Sequence, residues 1–254
     1  MGTLFIVATP IGNLDDISPR ALEALRKADV IACEDTRRTI KLLNHFGIQR
    51  PMTSYHEFNE EIKAGDLVKQ LEGGTSVALV SDAGTPAIAD PGYRLVRLCR
   101  QKNLPVIAIP GPNAAVTALS ASGLPSDEFM FGGFLPAKKN ARRERLTSVV
   151  NVACTLIFFE APHRIEEALE DLYDLFGDRE ICVARELTKV HEEFLFGKIS
   201  EIRPRVKALG EFVIVVSGAK EARAPAKLTR EDVLKKLGMT RNELYELFFK
   251  KKSE

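Results

Sequence analysis

Cysteine and histidine are scarce in this sequence, and their placing matters more than their number. The 254 residues hold four of each. Cys33, Cys99, Cys154 and Cys182 lie far apart with no Cys-x-x-Cys pair, in apolar or helical stretches where a thiol behaves as a small hydrophobe. His45, His56, His163 and His191 are equally scattered. Zinc sites and disulfide frameworks need clustered ligands or paired spacings, so neither is expected, and free thiols point to a reducing compartment. Charge of one sign is lacking too: 36 Lys and Arg oppose 35 Asp and Glu, a net charge of +1. Any nucleic-acid contact must therefore come from a local patch. No apolar run is long enough to span a bilayer. The opening MGTLFIVATP has no basic stretch before its short apolar run, and Ile6 breaks the myristoylation pattern, so a cytoplasmic protein is expected. Internal repeats and low-complexity tracts are missing, as are G-x-G-x-x-G and the Walker P-loop, which argues against a Rossmann dinucleotide site and a P-loop site.

What is there is an α/β pattern. Hydrophobic residues make up 45% and charged residues 28%, an ordinary globular balance at a length that suits one large domain or two small ones. Apolar runs at Thr3–Ala8, Val30–Cys33, Ser76–Ser81 and Val106–Ile109 read as buried strands. Helices are expected from Ser18-Pro19, over Thr36–Phe46, from Asp90-Pro91 and over Ala114–Ser122. Such alternation predicts a mostly parallel sheet covered on both faces. After a boundary near Gly123-Leu124-Pro125, strands at Glu128–Phe134, Thr155–Phe159, Ile181–Ala184, from Glu193 and at Phe212–Val216 come more closely together, so a mixed sheet is expected. The reading is therefore an N-terminal α/β domain over 1–122, a second over 123–221, and a linker with two short helices over 222–254. Those helices would span Leu228–Lys252, with Thr229 and Thr240 as caps around Gly238, and read as a small helical cap or a helix-turn-helix.

Three Gly- and Pro-rich loops follow strands of the first half: Thr9–Leu14, Ser81–Ala87 and Pro110–Ala115. Ligands of open parallel sheets bind at the carboxyl ends of strands, where glycine and alanine expose main-chain groups. Polar clusters follow other strands, including Glu34 to Arg38, Glu160 with His163 and Arg164, and Arg185 with Glu186. Each suits either a structural ion pair or a reaction site, and Asp35 also suits a helix N-cap. A basic run, Lys138, Lys139, Arg142, Arg143 and Arg145, occupies a helix expected over Lys138–Val149. On a helix, 138, 142 and 145 share one face, which suits either solvent or a phosphate backbone.

The segments TPIGNLDDIS, CEDTRRT, VSDAGTPAIADPG, IPGPNA, FFEAPHR and ARELTKVHEE, in this order, resemble the tetrapyrrole methylase superfamily, also called class III methyltransferases. The resemblance covers residues 4–217. It implies two α/β domains with S-adenosylmethionine in the cleft between them, and a homodimer; the scattered histidines and short apolar runs predict no metal and no membrane partner. Among the superfamily's members, the motifs are similar to those of enzymes acting on small-subunit ribosomal RNA, which implies 2′-O-methylation of a cytidine ribose. By the same resemblance, Ile11, Gly12, Asp82, Gly84, Thr85, Pro86, Ala87, Asn113 and Ala114 contact the cofactor from the first domain, and Phe159 and Ala184 from the second. Candidate catalytic residues are Glu34, Arg37, Glu160, His163, Arg185 and Glu186, because a ribose hydroxyl is a weak acid and a placed base or charge assists its attack. Lys138, Lys139, Arg142, Arg143 and Arg145 are the candidate RNA contacts. A small-molecule tetrapyrrole methyltransferase and a non-catalytic ribosome assembly factor stay open as alternatives.

Overall fold

Strand β4 (Val77–Val80) is buried along its whole length, as expected of a central parallel strand with both faces covered. It lies inside a five-stranded sheet with β1 (Leu4–Val7), β2 (Val30–Cys33), β3 (Met52–Ser54) and β5 (Val106–Ile109), in the order β3-β2-β4-β1-β5. All four pairings are parallel. This computed structural model describes residues 1–220 and Thr240. The helices expected over Leu228–Lys252 therefore lie, Thr240 apart, outside the described residues.

Helices α1 (Pro19–Lys27), α2 (Thr36–His45), α3 (Glu60–Glu72), α4 (Tyr93–Gln101) and α5 (Ala114–Ala121) alternate with these strands. The Ser18 side chain caps α1 by accepting from the Ala21 N–H, with Pro19 in the first turn. Two cores result. Leu25, Ile31, Leu43 and Val80 belong to one; Leu4, Leu67, Leu71, Leu79 and Leu95 belong to the other. The pair β3 and α3 went unexpected because β3 is only three residues long and two of the three, Thr53 and Ser54, are polar. The stripe Ala64, Leu67, Val68, Leu71, buried on α3, was the signal available for that helix.

The second sheet contains β6 (Phe129–Phe134), β7 (Thr155–Glu160), β8 (Glu180–Arg185), β9 (Glu193–Lys198) and β10 (Phe212–Val216), in the order β6-β7-β10-β8-β9. Only β6 and β7 pair in parallel, so the sheet is mixed. Helices α6 (Lys139–Val149), α7 (Ile165–Phe176) and the short α8 (Ile199–Ile202) belong to this half. Leu146, Leu169, Leu172, Phe158 and Ile214 make its core.

The two sheets meet through α5. Its Ala115, Ala118 and Leu119 cluster with Ile157, Cys182, Ala184, Val213 and Val215 of the second sheet. Small side chains let the helix backbone come close, so a helix from the first half covers a face of the second. A cleft is left where the carboxyl ends of the parallel strands face the ends of β6, β7 and β8.

Candidate functional site

The three glycine- and proline-rich loops are tied to one another by hydrogen bonds. Thr9 and Gly84 form an isolated antiparallel bridge, with the Thr9 N–H donating to the Gly84 carbonyl at 2.9 Å and the Gly84 N–H to the Thr9 carbonyl at 3.0 Å. The Ser81 hydroxyl donates to the Gly84 carbonyl at 3.0 Å, and the Thr85 hydroxyl to the Pro112 carbonyl at 3.1 Å. Parallel pairing puts all these loops at one edge of the sheet, and the hydrogen bonds fix their spacing.

They wall one side of a cavity of about 450 Å³. Ile11, Glu34, Arg38, Asp82, Gly84, Thr85, Asp90, Asn113 and Ala114 line it from the first half, and Phe134, Phe159, Glu160, Leu187, Glu211 and Phe212 from the second. Nine residues expected at the site thus come together: Ile11, Glu34, Asp82, Gly84, Thr85, Asn113, Ala114, Phe159 and Glu160. Asn113 also caps α5, its side-chain oxygen accepting from the Ala115 and Val116 N–H groups at 3.1 and 3.3 Å.

Other expected residues lie elsewhere. A Cβ built on Gly12 would come within 2.6 Å of Lys189 Cγ and 2.8 Å of the Leu187 carbonyl oxygen, so Gly12 packs one half against the other. Ala184 is fully buried in the α5 interface. Pro86 and Ala87 continue the loop outside the cavity lining. Arg37 is turned outward, its side chain 87% exposed, and holds Asp35 through Nε at 3.0 Å and Nη2 at 2.8 Å. Asp35 caps α2 through the Arg37 N–H, as its position suggested. The Arg37 side chain and N–H together bring its carboxyl down to about 2. His163 is exposed in a turn of 3-10 helix. Arg185 pairs with Glu193 at 2.9 Å, and Glu186 with Lys189 at 2.8 Å, which lowers the Glu186 pKa. Ion pairing, not the cavity, accounts for these two.

The basic helix requires a larger correction. Arg142 is fully buried, with Nε 2.7 Å from Asp171 Oδ2 and Nη2 2.9 Å from Glu167 Oε2. Arg143 reaches Asp171 Oδ1 at 2.7 Å and Asp174 at 3.0 Å. These two arginines clamp α6 to α7, so Arg142 is no RNA contact. The face-sharing pattern failed because it treated the acidic face of α7 as if it were solvent. Lys138 and Lys139 remain exposed and Arg145 partly so.

Three further lining residues were legible only in part. Arg38 lies 3.5 Å from Asp82, whose other oxygen accepts from the Asp35 N–H at 3.1 Å. Asp90 was expected to open a helix, but α4 starts at Tyr93. Ala87 and Ala89 take left-handed conformations, with φ of 68° and 59°, and the loop carries Asp90 to the cavity instead. Burial raises the Asp90 pKa to about 6, helped by the charges of Glu34 and Asp82. Burial also raises that of Glu34, with Asp82 adding to it. Phe134 reaches the cavity because Gly132-Gly133 interrupts the pairing of β6 with β7, and such a bulge re-aims the residue that follows it.

Five carboxylates (Glu34, Asp82, Asp90, Glu160, Glu211) and one guanidinium (Arg38) line the cavity. A ligand with positive charge and an apolar body suits that wall. Among the described residues, no group of His, Cys, Asp and Glu is placed to hold a metal ion, and no helix is long and apolar enough to cross a membrane.

Two α/β layers sharing a cleft at strand ends define a methylase-type architecture, and the family profile of the Tetrapyrrole (Corrin/Porphyrin) Methylases matches residues 3–203. The chain belongs to this family, whose members are methyltransferases, and S-adenosylmethionine is the methyl donor. Among its relatives is Ribosomal RNA small subunit methyltransferase I of Xylella fastidiosa (strain Temecula1), 53% identical over 234 residues, covering 90% of this chain and 85% of the relative. The protein of that name from Vibrio cholerae is 48% identical over 260 residues, covering 96% and 90%. In fold the chain is similar to diphthine synthase, with a TM-score of 0.67 at 17% identity, covering 85% of this chain and 90% of that one. It is also similar to uroporphyrin-III-C-methyltransferase from Thermus thermophilus, with a TM-score of 0.60 at 17% identity, covering 95% and 100%.

Proposed function

We propose that this protein methylates the 2′-hydroxyl of a cytidine ribose in small-subunit ribosomal RNA. The observation that carries the proposal is the joint one of high identity to relatives named for that RNA and an acidic cleft held by three hydrogen-bonded loops. The residues present fit the cofactor. Glu34, Asp82 and Asp90 place negative charge where a sulfonium needs it, and the loop backbones of Ile11, Gly84, Thr85, Asn113 and Ala114 hold the small molecule from one side. Phe159 contacts it from the other. When bound, S-adenosylmethionine supplies an electrophilic methyl group, which leaves the protein to supply proximity and orientation.

The ribose hydroxyl must lose a proton as its oxygen attacks. Asp90 is the carboxylate suited to take it, because a group titrating near 6 is ionised at neutral pH yet basic enough to accept. Burial keeps that pKa raised, and the charge of Glu34 adds to it. The RNA backbone passes Lys138, Lys139 and Arg145, the cations of α6 and its N-cap that remain outward. In this reading residues 1–122 and 123–221 act as two domains around the cleft, and the enzyme works in the cytoplasm as a homodimer. The exposed Ile107 on edge strand β5 is a surface that a second copy would cover.

The test is to incubate the protein with methyl-labelled S-adenosylmethionine and small ribosomal subunits lacking their modifications, then digest the RNA to nucleosides. Label in 2′-O-methylcytidine is expected. Cofactor binding with no label in RNA would overturn the substrate and turn attention to tetrapyrroles.

A further inference from the structure

Glu211 offers an accessible carboxylate to the cavity. Its Oε2 accepts from Lys189 Nζ at 2.9 Å, and its Oε1 has no partner among the described residues. The side chain is 75% exposed, and the residue lines the cavity.

Strand register fixes the face on which it stands. Val213 of β10 pairs with Phe159 of β7 and with Ala184 of β8, so these three share one face of the second sheet. Glu211 lies two residues before Val213. The Glu186 N–H donates to its carbonyl at 2.9 Å, which carries the pairing with β8 one residue past the strand. Alternation places the Glu211 side chain on the face of Phe159 and Val213, and both of those line the cavity.

The turn after β8 is fastened without the Glu211 carboxylate. Lys189 Nζ meets Glu186 Oε1 at 2.8 Å, and that same oxygen accepts from the Glu211 N–H at 2.9 Å. The lysine stem packs on Gly12 of the first half. An ion pair as exposed as the one Glu211 adds contributes little to stability. Lys189 balances one of two carboxylates, so a net negative charge stays at the cavity edge, held still where the two halves meet.

The neighbours narrow its chemistry. Leu187, Phe159 and Val213 make an apolar wall beside Glu211, while Glu34, Asp82 and Asp90, which suit a sulfonium, line the cavity from the other half. An ionised carboxylate can only accept, so its partner carries an O–H or N–H group. A carboxylate at the edge of an apolar wall suits a nucleoside, the acid accepting from a sugar hydroxyl while apolar side chains cover the rest.

We infer that Glu211, held by Lys189, accepts a hydrogen bond from a ribose hydroxyl of a nucleoside in the cleft. The inference rests on the methyltransferase reading above. Two molecules in that reaction carry such hydroxyls: the cofactor, in the diol of its adenosine, and the RNA, in the nucleotides beside the target.

Two comparisons separate these sources, each made with the wild-type protein and with Glu211→Ala. In the first, calorimetry measures binding of S-adenosylhomocysteine against its 2′,3′-dideoxy analogue. In the second, the KM for labelled methyl transfer is measured with small subunits that carry ribonucleotides or 2′-deoxynucleotides on either side of the target cytidine. In at least one of the two, the wild-type protein is expected to prefer the hydroxyl-bearing partner by roughly ten- to hundredfold, and Glu211→Ala to lose that preference. The comparison in which the variant loses it identifies the ribose. A wild-type protein indifferent to the hydroxyls in both comparisons would overturn the inference even if the variant did not fold. So would a folded Glu211→Ala protein, with an unchanged thermal midpoint, that kept every preference of the wild type. A wild-type protein that bound neither homocysteine compound would overturn the methyltransferase reading together with this one.

Discussion

Thr9 and Gly84, 75 residues apart, exchange both main-chain hydrogen bonds, at 2.9 and 3.0 Å. The bridge locks the loop after β1 to the loop after β4, and Gly84 sits in it at φ +89°. That conformation disfavours any side chain, and a Cβ there would stand 3.4 Å from Ile11 Cγ2 at the cavity wall. Gly84→Val should lower unfolding stability by about 1–3 kcal/mol. It should also weaken cofactor binding at least tenfold, because the branched side chain occupies the approach to the backbone. Calorimetric titration of the folded fraction checks this, and unchanged affinity would take Gly84 out of the binding surface.

Asp90 gives a pH signature of opposite sign in stability and in rate. Its carboxyl titrates at about 6 in the fold against an ordinary value of 3.8. An acid whose pKa is raised on folding contributes stability that is fully present below about 4 and is lost as pH rises through about 6. The rate needs the ionised form, so kcat/KM should climb over the same window. Asp90→Asn should flatten both curves and lower kcat roughly a hundredfold or more, and it should also weaken cofactor binding, because one of the negative charges facing the sulfonium is lost. A rate profile through pH 6 that is unaltered in the variant would assign the proton to another group.

The Arg142 clamp separates stability from RNA binding on one helix. Arg142→Ala leaves Asp171, 2% exposed at its side chain, with Arg143 alone, and should cost about 3 kcal/mol in urea unfolding. RNA affinity of the folded protein should hold its salt dependence. Lys138, Lys139 and Arg145 changed together to Glu should do the reverse. Stability should stay nearly constant, and the slope of log affinity against log salt should fall by roughly two. An unaltered slope in the triple variant would mean that these side chains meet only solvent.

The periodic elements were legible because their pattern is local. Ser76–Ser81 and Phe212–Val216 read as buried strands, and the strands found there, Val77–Val80 and Phe212–Val216, are buried along their length, while Ser18-Pro19 and Asp35 start helices where capping chemistry places them. The site was legible in part. Loops ending apolar strands had to share one sheet edge once the sheet was parallel, which brought Ile11, Asp82, Gly84, Thr85, Asn113 and Ala114 together. Asp90 escaped because Asp-Pro reads as a helix start, and only the left-handed alanines before it turn it toward the cavity.

By itself the sequence determined the α/β alternation and the change to a mixed sheet in the second half, since both follow from residue spacing along the chain, and its motifs carried the resemblance to the methylase family. The tertiary structure alone decided which polar residues face the cleft. Arg142 and Lys138 look alike in sequence, yet one meets Asp171 across α7 and the other faces water. Ala184 and Phe159 each stand next to last in a strand, but the first is fully buried in the α5 interface and the second lines the cavity. Burial and ion pairing depend on what a distant segment brings opposite a side chain, and no local pattern carries that information.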